Sequence, residues 1–185
     1  DLRNGVAAAA ALQPLVCDEA VQAQVLAFVN GRLDGLLREK GYNPSVIKAV
    51  LAELSHNPYA AFQPAEQLHQ STQLEEWSGL LDAYARCVRI TRTQPERFKL
   101  RPGNFERPSE QNLAMAYQVA IAAQNGKFLT FVESLRILKA PINNFFDDVM
   151  VMDEDQQIRE NRLALLQHIA ALANGLADLS QLEGF

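Results

Sequence analysis

Apolar residues recur at spacings of three and four along nearly all of this 185-residue chain, and nowhere do β-branched residues alternate with polar ones between turn signals. The first pattern lines one face of a helix, and the second, which a half-buried strand needs, is missing. The chain is thereby confined to an all-α fold. Asp18 is placed to cap a helix whose stripe of Val21, Val25, Phe28, Val29, Leu33, Leu36 and Leu37 faces inward and which ends at Gly41, the left-handed cap position. Asn43-Pro44 opens a second helix, with Val46, Ile47, Val50, Leu51 and Leu54 inward, that stops before Asn57-Pro58 and completes a helical hairpin.

A stretch punctuated by Pro58 and Pro64 precedes a third long helix, from about Gln73 to Thr93, which buries Leu74, Trp77, Leu80, Leu81, Tyr84, Val88 and Ile90. Pro95, Pro102, Gly103 and Pro108 make residues 93–108 a loop longer than packing requires. Ser109 opens the next helix, and after Asn125-Gly126 another carries Phe128, Phe131, Val132, Leu135 and Leu138 until Pro141. A last helix starts near Asp153 and turns Ile158, Leu165, Ile169, Leu172 and Leu176 inward. The expectation is a helical bundle of six or seven helices, the alanine run of residues 7–11 supplying a further helix-prone segment. Residues 1–17 read as the remnant of a preceding region, 18–108 as an N-terminal helical half and 109–185 as a C-terminal half. Together 18–185 should form one cooperative domain with its internal seam at 102–108.

With 48% hydrophobic residues the chain can build a core, yet its longest apolar run, residues 6–12, is far short of the ~20 needed to cross a bilayer. Cys17 and Cys87 form no CxxC pair, which argues against a disulfide framework and a zinc site and predicts a reducing, cytoplasmic setting. The first residue is Asp1 and no secretory pattern follows, so the chain reads as a piece of something larger.

A nucleophilic enzyme needs a nucleophile, a base and an orienting group. His56, His69 and His168 are the only histidines and read as solvated surface residues; GxSxG, HExxH, GxGxxG and GxxxxGK[ST] are all absent. No catalytic residue is assigned, and the default is a module without metal or cofactor. Asp147, Asp148, Asp153, Glu154 and Asp155 crowd carboxylates together, but without the alternating ligands and central glycine of an EF-hand. Asp153, Glu154 and Asp155 are better used at a helix N-terminus, and Asp147 and Asp148 in pairs with Arg159 or Arg162.

Charge is the informative feature. The chain carries −5 overall, yet between Arg86 and Arg107 stand Arg86, Arg89, Arg92, Arg97, Lys99, Arg101 and Arg107 against only Glu96 and Glu106. That segment is +5 and the remainder −10. Phe98 and Phe105 are interleaved with the cations, a mixture suited to RNA: guanidinium groups for phosphates, planar groups for stacking unpaired bases. On charge alone, neutralising an acidic body explains the arginines equally well.

F-F-D-D-V-M-V-M-D-E-D from Phe145, followed by I-R-E-N-R-L-A-L-L from Ile158, resembles the C-terminal end of the bacterial glycyl-tRNA synthetase β subunits, whose all-helical anticodon-binding domain is of the DALR type. A-D-L-S-Q-L from Ala177, G-R-L-D-G-L-L-R-E-K-G-Y-N-P-S-V-I-K-A-V-L-A from Gly31 and Y-A-R-C-V-R-I from Tyr84 are similar to further patterns of that family. Arg86 falls on a family motif position, whereas Arg89 stands where the family tends to have Asn. The resemblance implies a DALR-type domain with an N-terminal helical extension that holds the anticodon arm of glycine tRNA. It also implies a partner α subunit in an α/β hetero-oligomer, where ATP, Mg and the aminoacylation chemistry reside, with no cofactor in this chain. Arg86, Arg89, Arg92, Arg97, Lys99, Arg101, Arg107, Phe98 and Phe105 are then the expected tRNA-binding residues. The alternatives are a helical scaffold at a subunit interface, or the equivalent domain of arginyl-tRNA synthetase.

Overall fold

The computed structural model describes residues 1–185. It contains eight α-helices and no strand: α1 (Leu2–Ala11), α2 (Glu19–Glu39), α3 (Pro44–Leu54), α4 (Pro58–Ser71), α5 (Trp77–Thr91), α6 (Pro108–Ala123), α7 (Phe128–Asp148) and α8 (Gln156–Ala170). Three short 3-10 turns lie at Pro102–Asn104, Ala171–Ala173 and Leu179–Gln181. No helix is long and apolar enough to cross a membrane. The contacts divide the chain into two compact units, Asp1–Gln70 with Gly175–Glu183, and Ser71–Asn174 with Gly184–Phe185. The division thus falls at residues 70 and 174, not in the loop over 102–108.

In the first unit α3 is central. Asn43 caps it through its Oδ1, Pro44 occupies the first turn where no N–H is needed, and Val46, Ile47, Ala49 and Val50 are wholly buried. Leu33 and Leu37 of α2 and Ala61, Ala65 and Leu68 of α4 join them, as do Leu176, Ala177, Leu179 and Leu182 from the returning chain. The Asp178 N–H donates to the Ala49 carbonyl at 2.8 Å. Gly41 takes a φ of +83° as the α2 cap, a conformation that favours glycine. The stripe expected along all of α2 is buried only at its C-terminal end: Val21, Val25 and Leu36 are exposed and Phe28 is 66% exposed. The reason is reach. A helix of 21 residues is about 31 Å long at 1.5 Å per residue, and the 11-residue α3 covers only part of it. α1, which packs on α2, buries no side chain of its own.

α4 is the element that the prolines concealed. Asn57 caps its first turn, and Pro64 lies inside it. Ala61, Ala65 and Leu68 fall on one face and are buried, which holds the helix despite the missing N–H.

The second unit packs α5 against α7 and α8, and α6 against α7. α7 does not stop at Pro141 but continues to Asp148, because Ile142 and Phe145 extend the buried stripe of Phe128, Phe131, Val132, Leu135 and Leu138 across the proline. The cost of a proline inside a helix, about 3 kcal/mol from the missing hydrogen bond and the clash of its ring with the preceding turn, is outweighed by that burial. Beyond α7 burial alternates: Val149 and Val151 are buried, while Met150 (77% exposed) and Met152 are exposed. The dense apolar run of residues 145–152 is therefore a helix end followed by an alternating strap. Asp155 caps α8 by accepting from the Gln157 and Ile158 N–H groups. Residues 161–166 of α8 are all buried, polar Asn161 and Arg162 included, so α8 is the unit's central post. The Tyr84 hydroxyl ties α5 to it, donating to the Ala170 carbonyl at 2.6 Å.

Candidate nucleic-acid interface

The basic segment begins on α5 and leaves it at Arg92. Arg86 lies over the Phe146 ring, 4.3 Å from its centroid, and donates to Asn143 Oδ1 at 3.2 Å. Arg89 lies 5.7 Å from the centroid of Phe185. Both guanidinium groups thus have intramolecular aromatic partners, and the motif position Arg86 meets the signature residue Phe146 inside the unit. Arg92, Arg97, Lys99, Arg101 and Arg107 differ: all five are exposed, and none lies within ion-pair distance of a carboxylate. Phe98 and Phe105 are half-buried.

The connection from α5 to α6 has little regular structure, yet its backbone is held at three places by side chains of the packed helices. Gln167 of α8 accepts from the Phe98 N–H at 3.0 Å through Oε1 and donates to the Glu96 carbonyl at 2.8 Å through Nε2. Asn161 Oδ1 accepts from the Arg101 N–H at 2.7 Å. Glu110 Oε2 accepts from the N–H groups of Glu106 and Arg107, both at 2.7 Å. Gln167 stands near the end of α8 and Asn161 near its start, so the loop runs back along the helix, against its direction. Arg97, Lys99 and Arg101 are strung along that path.

These clamps are themselves fixed. Glu110, 1% exposed, forms an ion pair through Oε1 with Arg162, which is 3% exposed. Arg162 donates further to Asp153 Oδ2 at 2.7 Å and to the Met150 carbonyl at 2.9 Å. Burial pulls the Arg162 guanidinium down, but hydrogen bonds and charge from Glu110 and Asp153 outweigh it and hold the group above its ordinary value. Asp153 is held below the ordinary carboxylate value by the Asp155 N–H and by Arg162. Arg162 is therefore paired with carboxylates, as expected, but with Glu110 and Asp153. Asp148 instead accepts from the Ser109 hydroxyl at 2.6 Å, and Arg159 donates to the Asp153 carbonyl at 2.5 Å and to the Glu154 carbonyl at 3.3 Å. Each polar residue of the R-E-N-R signature except Glu160 thus braces backbone or a buried charge.

Elsewhere, His168 is exposed beside Tyr117, with ring centroids 5.8 Å apart. His56 and His69 are half-buried, His69 against Tyr42 at 5.5 Å. Glu110, Asn161 and Gln167 escaped notice in the sequence because none lies in the basic segment. The one available signal was the N-R pair in the signature, which diagnosed a fold without saying what it holds.

A family profile described as a DALR anticodon binding domain matches residues 80–180. Over 89% of its length the chain is 36% identical to the glycine–tRNA ligase β subunit of Moorella thermoacetica. Over 96% of its length it is 35% identical to the chloroplastic/mitochondrial glycine–tRNA ligase 2 of Arabidopsis thaliana. A third relative, the β subunit from Acidovorax sp., is 33% identical over 89% of the chain. The chain spans 24% of the length of the two bacterial relatives and 17% of the plant one. The profile covers the whole frame just described, from α5 through the loop to the end of α8, and on that match the chain belongs to the DALR anticodon-binding domain family.

Proposed function

We propose that this chain binds the anticodon arm of glycine tRNA without performing chemistry itself. In this reading it is the tRNA-holding part of a cytoplasmic glycyl-tRNA synthetase β subunit. ATP, Mg and glycine bind at a partner α subunit, and the domain orients the acceptor end of the tRNA toward it. The observation that carries the reading is the set of five unpaired, exposed cations, Arg92, Arg97, Lys99, Arg101 and Arg107, on a loop whose backbone is clamped by side chains of α6 and α8. Cations held apart from any carboxylate suit an anionic partner, and a pre-shaped loop loses little entropy on binding it. Phe98 and Phe105 are available beside them to meet splayed bases. Arg86 and Arg89, stacked on Phe146 and Phe185, shape the surface and contribute charge at longer range.

Binding to a glycine tRNA transcript and to a tRNA of different anticodon, measured across a salt series, tests this. The expected result is tighter binding of the glycine tRNA with a steep salt slope. Arg97→Ala, Lys99→Ala and Arg101→Ala should each flatten that slope by somewhat less than one unit, as loss of a phosphate contact does. Equal affinity for the two tRNAs removes anticodon reading, and absence of salt-dependent binding removes the RNA role. Glutamate reversal at these cations that leaves tRNA affinity unchanged while subunit assembly fails would favour the scaffold reading.

A further inference from the structure

Where α5 ends, the basic loop begins and α8 finishes, a cleft of about 420 Å³ opens to solvent. We propose that it receives a single unpaired nucleotide, base inward and phosphate at the mouth; the proposal rests on the RNA-binding reading above.

Six features argue for it. The volume lies near the lower end of the ~300–1,000 Å³ typical of small-ligand clefts, which suits one nucleotide and excludes a duplex. Val88 and Ala171 give part of the wall an apolar surface on which the face of a base can lie. The last turn of α8 presents the negative end of the helix, and Glu96 adds a carboxylate to the lining, so the interior disfavours phosphate and favours the N–H edge of a base. Arg92 and Arg97 line the cleft as exposed, unpaired cations able to take the phosphate outside. Between these zones Gln94 and Asn174 bring side-chain amides that make no hydrogen bond within the protein, each able to donate to and accept from a base edge. One wall is kept in place by Gln167, whose two bonds to Glu96 and Phe98 fix the loop against α8. The cleft is therefore shaped before RNA arrives.

The test uses the full 185-residue chain and an anticodon stem-loop RNA of glycine tRNA, with 2-aminopurine substituted at one loop position at a time. One position should change its fluorescence on binding as its base leaves the RNA stack, and that change should vanish in Ala171→Phe, which fills the cleft. Asn174→Trp, at an exposed site outside the packed part of the unit, serves where the first variant folds poorly. Either filling should weaken binding about tenfold or more, the scale of one stacked base, while leaving the salt slope unchanged. Arg101→Ala should do the reverse, lowering the slope and keeping the fluorescence change. Filled variants that bind as tightly as the parent with every fluorescence change intact would overturn the cleft and leave RNA binding standing. Failure of the parent chain to bind the stem-loop at all would overturn both.

Discussion

Arg162 has the surroundings in which a side chain is most costly to alter. Removing one partner of a buried ion pair strands the other, at a cost of about 3–5 kcal/mol, whereas replacing both by apolar groups is often close to neutral. Arg162→Met and Glu110→Met should therefore each destabilise the chain by about 3 kcal/mol or more in urea unfolding, and the double variant should cost less than the sum of the two. That an arginine among carboxylates would be paired was legible in the sequence. Its main partner was not, because Glu110 lies 52 residues away and looks in sequence like an ordinary first-turn acid of α6. Cys87 makes a second prediction at this scale. Burial pushes its thiol up to about 12, so little thiolate exists at neutral pH. A thiol reagent at pH 8 should titrate one group, Cys17, in the native chain and two after denaturation.

The helices themselves were largely readable from the period of their apolar residues, and the misreadings share a cause. Pro64 and Pro141 each interrupt the local helical pattern, but tertiary burial of Ala61, Ala65 and Leu68 in one case and of Ile142 and Phe145 in the other carries the helix through. Local propensity is a weak prior where packing disagrees. The converse error was α2, whose stripe was real but longer than the partner that could cover it. The loop between α5 and α6 was recognised as too long for packing alone, yet its shape depends on Asn161, Gln167 and Glu110, which no local pattern ties to it. A test follows directly from this connection. The loop offers trypsin Arg97 and Lys99, held close to α8 in the native chain, while Pro102 blocks cleavage after Arg101. Asn161→Ala and Gln167→Ala should leave the helical content unchanged but speed tryptic cleavage at these residues several-fold, since cleavage follows the population of the opened segment.

On the scale of the whole molecule, the overall charge of −5 conceals a polarised distribution, with five unpaired cations of a +5 segment on one loop and −10 spread elsewhere. Such a charge pattern steers an anionic partner and discourages it from other faces. Acid acts on both compact units. Asp153 in one is held below the ordinary value by the Asp155 N–H and Arg162; Asp178 in the other is raised by burial but lowered further by Ser180 and Gln181. For carboxyls depressed in the folded state, the added stability is complete above their unfolded value near 4. It is lost as pH falls through the lower folded value. Unfolding midpoints in urea should accordingly hold steady from pH 7 to about 5 and drop below about pH 4. The last consequence concerns how such a molecule can change over evolutionary time. Every clamp on the basic loop grips its main chain, at the carbonyl of Glu96 and the N–H groups of Phe98, Arg101, Glu106 and Arg107, and none grips a loop side chain. The loop is a fixed line on which the letters are free to be rewritten. At positions 98, 101, 106 and 107 the one letter its frame refuses is proline, which has no N–H to offer.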